Sequence, residues 1–129
     1  MKYKCINGWT KAKMIEAIKL RNDGTKCTNR NGSCLYRNFK TGNRCVAGVF
    51  IPDEEYKDEM DGTVTYAGQT VHNPNIKVLL ETFPNLQRFM PLTIGDMLSF
   101  QRLTHDMNNA EGAEIHEASE NWINAHVED

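Results

Sequence analysis

Apolar residues recur at helical spacing in several stretches of the chain. Met14, Ile15 and Ile18 follow Thr10, a residue type that caps helix N-termini. Trp9 precedes the cap and Met14 stands four residues beyond it, the arrangement of a hydrophobic staple. Lys19 and Arg21 fall where a last turn favours cations, and Gly24 lies beyond, so the spacing predicts a helix over 10–22. Ile76, Val78, Leu79 and Leu80 follow Asn73-Pro74 and predict a short helix over 75–82, stopped by Phe83-Pro84. Leu86, Phe89 and Met90 mark another apolar turn before Pro91. Ile94, Met97, Leu98, Phe100, Leu103 and Met107 form the apolar face of a third helix. Thr93 is its cap, with Asp96 at the third position, and Asn108-Asn109 ends it. Ile115, Ala118, Ser119, Trp122 and Ile123 make one stripe of a last helix over 112–126.

Between the helical patterns lie shorter signals. Residues 2–7 read as an extended segment closed by the turn dipeptide Asn7-Gly8. Residues 22–33 are turn formers almost throughout and make a polar, basic loop. Cys34 to Arg37 read as a short strand, returned by a turn over 38–43 into Arg44 and Cys45 as a hairpin. The run from Cys45 to Ile51 fits a strand, through Val46, Val49 and Ile51, or a buried helical turn, and Pro52 ends it either way. A second small hairpin fits 63–71 around Gly68. The expectation is a single α+β domain spanning residues 1–129, mostly helical, with about four to five helices and a short β-hairpin. The C-terminal helices are expected to pack on the first helix and on the Val46–Ile51 run.

Charge changes this picture. Residues 1–48 carry 11 Lys/Arg and 2 acids, giving 11 − 2 = +9, whereas residues 49–129 carry 4 basic and 15 acidic residues, giving 4 − 15 = −11. The sum is the net charge of −2. Such a split predicts either a polyanion-binding half or two halves that attract each other. The N-terminus MKYKCINGWTK lacks the apolar run of a secretory signal, and no window approaches the roughly 18 to 20 apolar residues of a bilayer span, so a cytoplasmic protein without membrane association is expected. Cys5, Cys27, Cys34 and Cys45 are then expected to be reduced thiols, and the Asn31-Gly32-Ser33 sequon carries no glycan.

The segment beginning at Cys34 carries a motif: Tyr36-Arg37, then Gly42-Asn43-Arg44-Cys45, Val46-Ala47-Gly48, Ile51-Pro52-Asp53, Tyr56 and Met60-Asp61-Gly62, with Gln101, His105 and Asp106 later in the chain. In these residues it resembles a group of small proteins encoded by bacteria and their phages. The resemblance implies no activity. It implies a short helix rather than a strand at 45–51, and a bacterial or phage origin. The 63–73 segment is longer here than in that group.

Candidate chemistry is thin. Cys27, Cys34 and Cys45 with His72 could ligate zinc, but their spacings of six and ten intervening residues lack the close Cys pairs of structural zinc sites. Cys34 or Cys45 near Arg37 and Arg44 could be a nucleophile with His105 as base. Asp106 cannot orient His105 on one helix, because neighbouring side chains diverge by about 100°. His105-Asp106 also has the form of a metal-phosphohydrolase pair, and His72 precedes it, but in place of a later Asp the last helix offers only Glu111, Glu114, Glu117 and Glu120, and the chain is short for that fold. His116 and Glu120 share a helix face without the second His of a zincin. No catalytic residue, metal ligand or cofactor is therefore assigned.

The reading that remains is a small non-enzymatic interaction protein that binds a host or phage protein, in the host cytoplasm if phage-encoded. It would act through the basic hairpin face or the acidic 53–61 loop. The binding candidates are Lys26, Arg30, Arg37, Lys40, Arg44, Tyr36, Asp53 and Tyr56. A second reading is nucleic-acid binding by the five cations of that set, with Tyr3, Trp9, Tyr36 and Phe39 as interleaved aromatics. A third is a thiol- or metal-dependent hydrolase. Oligomeric state is not assigned.

Overall fold

The computed structural model describes residues 2–28, 35–106 and 114–129, with residues 105 and 106 described by backbone alone. The elements in chain order are β1 (Tyr3–Lys4), α1 (Lys11–Arg21), β2 (Thr63–Tyr66), β3 (Gln69–His72), α2 (Ile76–Thr82), α3 (Ile94–Gln101), α4 (Ile115–His126) and β4 (Val127–Glu128). Short 3₁₀ turns stand at Gly48–Phe50, Asp58–Asp61 and Pro84–Phe89, and a π-helical turn at Arg102–Asp106. The architecture is α+β, as the patterning predicts.

Local signals account for α1, α2 and α4. The Thr10 hydroxyl accepts from the Lys13 N–H at 3.2 Å, and Met14 and Ile18 face the core. Asn75 caps α2 by accepting from the Val78 N–H at 2.9 Å. Trp9, which precedes the cap, packs on Phe50 edge to face at 5.0 Å, and its indole N–H donates to the Phe89 carbonyl at 3.1 Å. Ile115, Ser119, Trp122 and Ile123 of α4 are buried as their stripe predicts. In the hairpin of β2 and β3, Ala67 and Gly68 both have positive φ, +52° and +77°. Two left-handed residues match the twist of the strands, and only the glycine adopts that conformation without strain.

α3 departs from its pattern in two ways. The Thr93 hydroxyl makes no bond to the helix start, so the capping box does not form. Beyond Gln101 the backbone widens into the π-helical turn. The extra residue rotates the faces, so Thr104 is buried and Leu103 is left half exposed. Met107, Asn108 and Asn109 lie outside the described residues. At 45–51 no strand forms, and the helical alternative is the one adopted, as a short 3₁₀ turn at Gly48–Phe50. The run contains the 3₁₀ turn, and every residue of it is buried. It belongs to one hydrophobic cluster with Met14 and Ile18 of α1, Leu79 and Leu80 of α2, Phe100 of α3 and Ile123 of α4.

The two ends of the chain meet. β1 and β4 pair in parallel, Tyr3 opposite Val127, and the Cys5 N–H extends the pair to the Glu128 carbonyl at 3.0 Å. Tyr3 stacks on Trp122 at 5.2 Å, and Asp129 accepts from the Lys11 N–H at 2.6 Å, an anion at the positive end of α1. Among the described residues no helix is long and apolar enough to cross a membrane.

Candidate binding face at the charge seam

Arg37 and Arg44 form an isolated antiparallel bridge, the one rung of the expected hairpin that the described residues contain. Its turn closes by the Asn38 N–H to the Asn43 carbonyl at 2.9 Å and by the Asn38 side chain, which accepts from the Lys40 N–H at 2.9 Å. The rung sets both guanidinium groups on one side, where Pro52 has just turned the chain out of the core. Asp53 follows and meets both, Oδ1 lying 2.8 Å from Arg37 and 2.7 Å from Arg44. The Arg44 guanidinium, then that of Arg37, holds the Asp53 carboxyl below its ordinary range.

A second carboxylate ties the strand to the acidic loop. Asp61 Oδ1 accepts from the Tyr36 N–H at 2.6 Å, and Oδ2 accepts from the Arg37 N–H at 3.1 Å and the Tyr56 hydroxyl at 2.5 Å. Burial, then this hydrogen bond to Asp61, raises the Tyr56 phenol above its ordinary range. The Arg37 guanidinium carbon lies 4.5 Å from the Tyr56 ring centre, on the ring face, and Phe39 meets the same ring at 5.6 Å and 64°. Phe39 is 69% exposed, although large apolar side chains usually turn inward. It borders a groove of about 540 Å³ with Leu35 and Tyr56, and Lys40 and Asp58 stand on the rim.

The nominated residues thus separate. Arg37, Arg44, Asp53 and Tyr56 are brought together, and Lys40 stands at the exposed tip of the turn. Tyr36 is not part of the face: it is buried, and its hydroxyl donates to the Pro74 carbonyl at 2.6 Å. Lys26 is half-buried in the loop after α1, and Arg30 lies outside the described residues. Of the two residues that organise the groove, Phe39 is expected only as an interleaved aromatic of the nucleic-acid reading, and Asp61 only as part of the acidic 53–61 loop. An apolar residue inside a basic turn was the available signal for Phe39, and the motif position of Asp61 beside Gly62 was the signal for the carboxylate.

Much of the motif between Tyr36 and Asp61 is linked by direct contacts. Besides the links above, Gly48 lies directly against the Tyr36 carbonyl, and the Gln101 side chain accepts from the Ile76 N–H at 3.0 Å. The described thiols are poorly placed for nucleophilic attack. Burial, with Cys45 nearby, pushes the Cys27 thiol up to about 12, and the buried Cys45 sulfur accepts from the Gly48 N–H at 3.2 Å. Cys34 and the His105 side chain lie outside the described parts. His72 bonds Thr63 across the hairpin at 2.9 Å. His116 lies 2.5 Å from the Asn22 carbonyl, and Glu120 pairs with Lys19 at 3.0 Å, so both residues of that pair tie α4 to α1. Among the described residues no group of three or more His, Cys, Asp or Glu side chains could hold a metal ion.

No family model matches the chain, and no curated protein or solved structure matches it. The likeness to small bacterial and phage proteins therefore rests on the motif residues alone.

Proposed function

We propose that this chain is a small non-enzymatic protein that binds another protein through the groove beside Phe39 and Tyr56. The observation that carries this reading is the exposed Phe39 ring, set on a Tyr56 whose own orientation is fixed by Asp61 and Arg37. A rigid aromatic anchor beside an arginine is the composition of interface hot spots, because little side-chain entropy is lost on docking. The groove is lined by two cations, Arg37 and Lys40, and two acids, Asp58 and Asp61, which suits a mixed protein surface better than a polyanion. On the motif likeness, the partner is sought among cytoplasmic proteins of a bacterial host.

The test is capture from bacterial lysate on the immobilised chain, with and without nuclease. A specific protein should be retained in both conditions and lost with Phe39→Ala, while Leu103→Ala, an exposed apolar site elsewhere, retains it. Equal capture by Phe39→Ala overturns the reading.

The +9 charge of residues 1–48 favours the second reading, nucleic-acid binding. Lys19–Glu120, Arg37–Asp53 and Arg44–Asp53 already join the basic half to the acidic half, which lowers the charge left for phosphates. Capture abolished by nuclease, with affinity falling steeply as salt rises, would establish it instead. Turnover that vanished in Cys45→Ala with the fold intact would establish the third reading, a thiol enzyme.

A further inference from the structure

Three guanidinium groups gather at the turn beginning with Pro52. Arg21, the last residue of α1, is anchored by its Nη1, which donates to the Val49 carbonyl at 2.8 Å. It has no ion-pair partner among the described residues. With Arg44 it lines a depression of about 290 Å³, completed by Pro52, Asp53 and Glu54. The Arg37 and Arg44 side chains are only 11% and 18% exposed, and both meet one oxygen of Asp53, whose own side chain is 70% exposed. Arg37 Nε is buried and has no hydrogen-bond partner among the described residues, so one carboxylate leaves part of the cluster unsatisfied. A cleft of about 480 Å³ adjoins this depression and shares Arg21 and Pro52 with it. Trp9, Phe50 and Phe89 give that cleft an aromatic lining, with Lys13 and Glu16 beside them.

We propose that the two recesses form one site for a free mononucleotide, its phosphate between Arg21 and Arg44 and its base in the aromatic cleft. Charge selects the phosphate. Arg21, Arg37 and Arg44 stand against Asp53 and Glu54, giving 3 − 2 = +1, and Asp53 supplies one negative charge where a phosphate monoester supplies nearly two. Guanidinium groups take phosphate oxygens in pairs, and Arg21 keeps further N–H donors beyond the one given to Val49. Asp53 is then an internal stand-in for the phosphate, which displaces it. That exchange costs little, because an ion pair with so exposed a carboxylate is weak. A bare anion would use the arginine end alone. The adjoining cleft adds the base, since flat rings stack on aromatic side chains and a few polar groups at the edge fix their orientation. Glu54 repels the phosphate from the wall of the depression, so the dissociation constant is on the order of 0.1 mM.

Titration of the isotope-labelled full chain with adenosine monophosphate at low salt, from about 10 µM to about 10 mM and followed by nuclear magnetic resonance, brackets that constant. The expected result is a saturable shift of the Trp9 indole N–H signal. The Trp122 indole, set among Tyr3, Phe100 and His126, is the internal control and should stay in place. Inorganic phosphate alone and adenosine alone should each bind at least about tenfold more weakly, because each fills one recess only. Arg21→Gln and Arg44→Gln should each weaken the nucleotide by about tenfold or more. Asp53→Asn should tighten it by roughly threefold to tenfold, since the competing charge is gone, and no loss of folding could mimic that gain. No saturation below about 10 mM, a nucleotide bound no tighter than inorganic phosphate, or an Asp53→Asn variant no tighter than the parent would each overturn the proposal. So would binding of a DNA oligonucleotide without binding of the mononucleotide.

Discussion

Replacing Gly48 by alanine should be among the most destabilising single-methyl additions in the protein. A Cβ at Gly48 would lie 2.1 Å from the Tyr36 carbonyl oxygen and 2.9 Å from the Tyr36 carbonyl carbon, where ordinary contacts begin near 3.4 Å. Neither side can yield easily. The Tyr36 N–H is held by Asp61 and its hydroxyl by Pro74, while Gly48 begins a turn inside a fully buried run. Overpacking costs about 1–3 kcal/mol when side chains can adjust, and the obstacle here is backbone, so a loss of about 3 kcal/mol or more is expected. That is a large part of a total stability of roughly 5–15 kcal/mol. Gly42→Ala supplies the contrast. Gly42 has φ +76° with nothing within 4 Å of an added Cβ, so only left-handed strain of about 1 kcal/mol is expected. Urea titration followed by circular dichroism separates the two. With a slope of about 1–3 kcal/mol/M, the Gly48→Ala midpoint should fall by about 1–3 M. A Gly48→Ala loss no larger than that of Gly42→Ala would refute the claim that contact with the Tyr36 carbonyl dictates glycine here.

The seam and the buried Cys27 thiol give four further measurable outcomes. Asp61→Asn should cost about 2–3 kcal/mol in the same titration, because both Asp61 oxygens accept from donors and an amide must turn its N–H₂ against one of them. Asp53→Asn should leave stability near neutral pH little changed but raise low-salt affinity for a DNA oligonucleotide, since it releases Arg37 and Arg44. The depressed Asp53 carboxyl stabilises the fold above the ordinary carboxylate range and loses that contribution as pH falls through its lowered pKa, so the variant's acid unfolding curve should be shallower. On the alkaline side, the Cys27 thiol and the Tyr56 phenol are both raised. The unfolded chain therefore releases these protons first, and thermal stability should decline as pH rises from about 9 toward about 12. In native protein at pH near 8, Cys27 should react with a thiol reagent far more slowly than after denaturation.

Much of the fold was legible because α1 and α2 combine an apolar stripe with cap or stop signals within a few residues, and α4 carries a clear stripe, and such information is local. The π-helical turn after α3 was not, because nothing in Arg102–Asp106 departs from helical spacing and the change of face appears only in what is buried. Neither was the pairing of β1 with β4. Two residues at each end carry no periodicity, and their partners stand at opposite ends of the chain. The candidate site was half legible. Arg37, Arg44, Asp53 and Tyr56 were nominated and do converge, whereas Tyr36 went into the core and Phe39 came out of the turn. Residue type indicates which side chains can pair or stack, but their direction depends on the single Arg37–Arg44 rung and the Pro52 turn.

By itself, then, the sequence determined the helices, the buried run before Pro52 and the presence of a basic and an acidic half. The tertiary structure alone decided what those charges do. It sets one carboxylate, Asp53, within 2.8 Å of two guanidinium groups, and another, Asp61, beneath the backbone of the strand that carries one of them. Opposite charges attract across a chain whatever its fold, but they form pairs only where the backbone holds them at hydrogen-bond distance, and that distance is a property of packing. The same packing leaves the Phe39 and Leu20 side chains exposed.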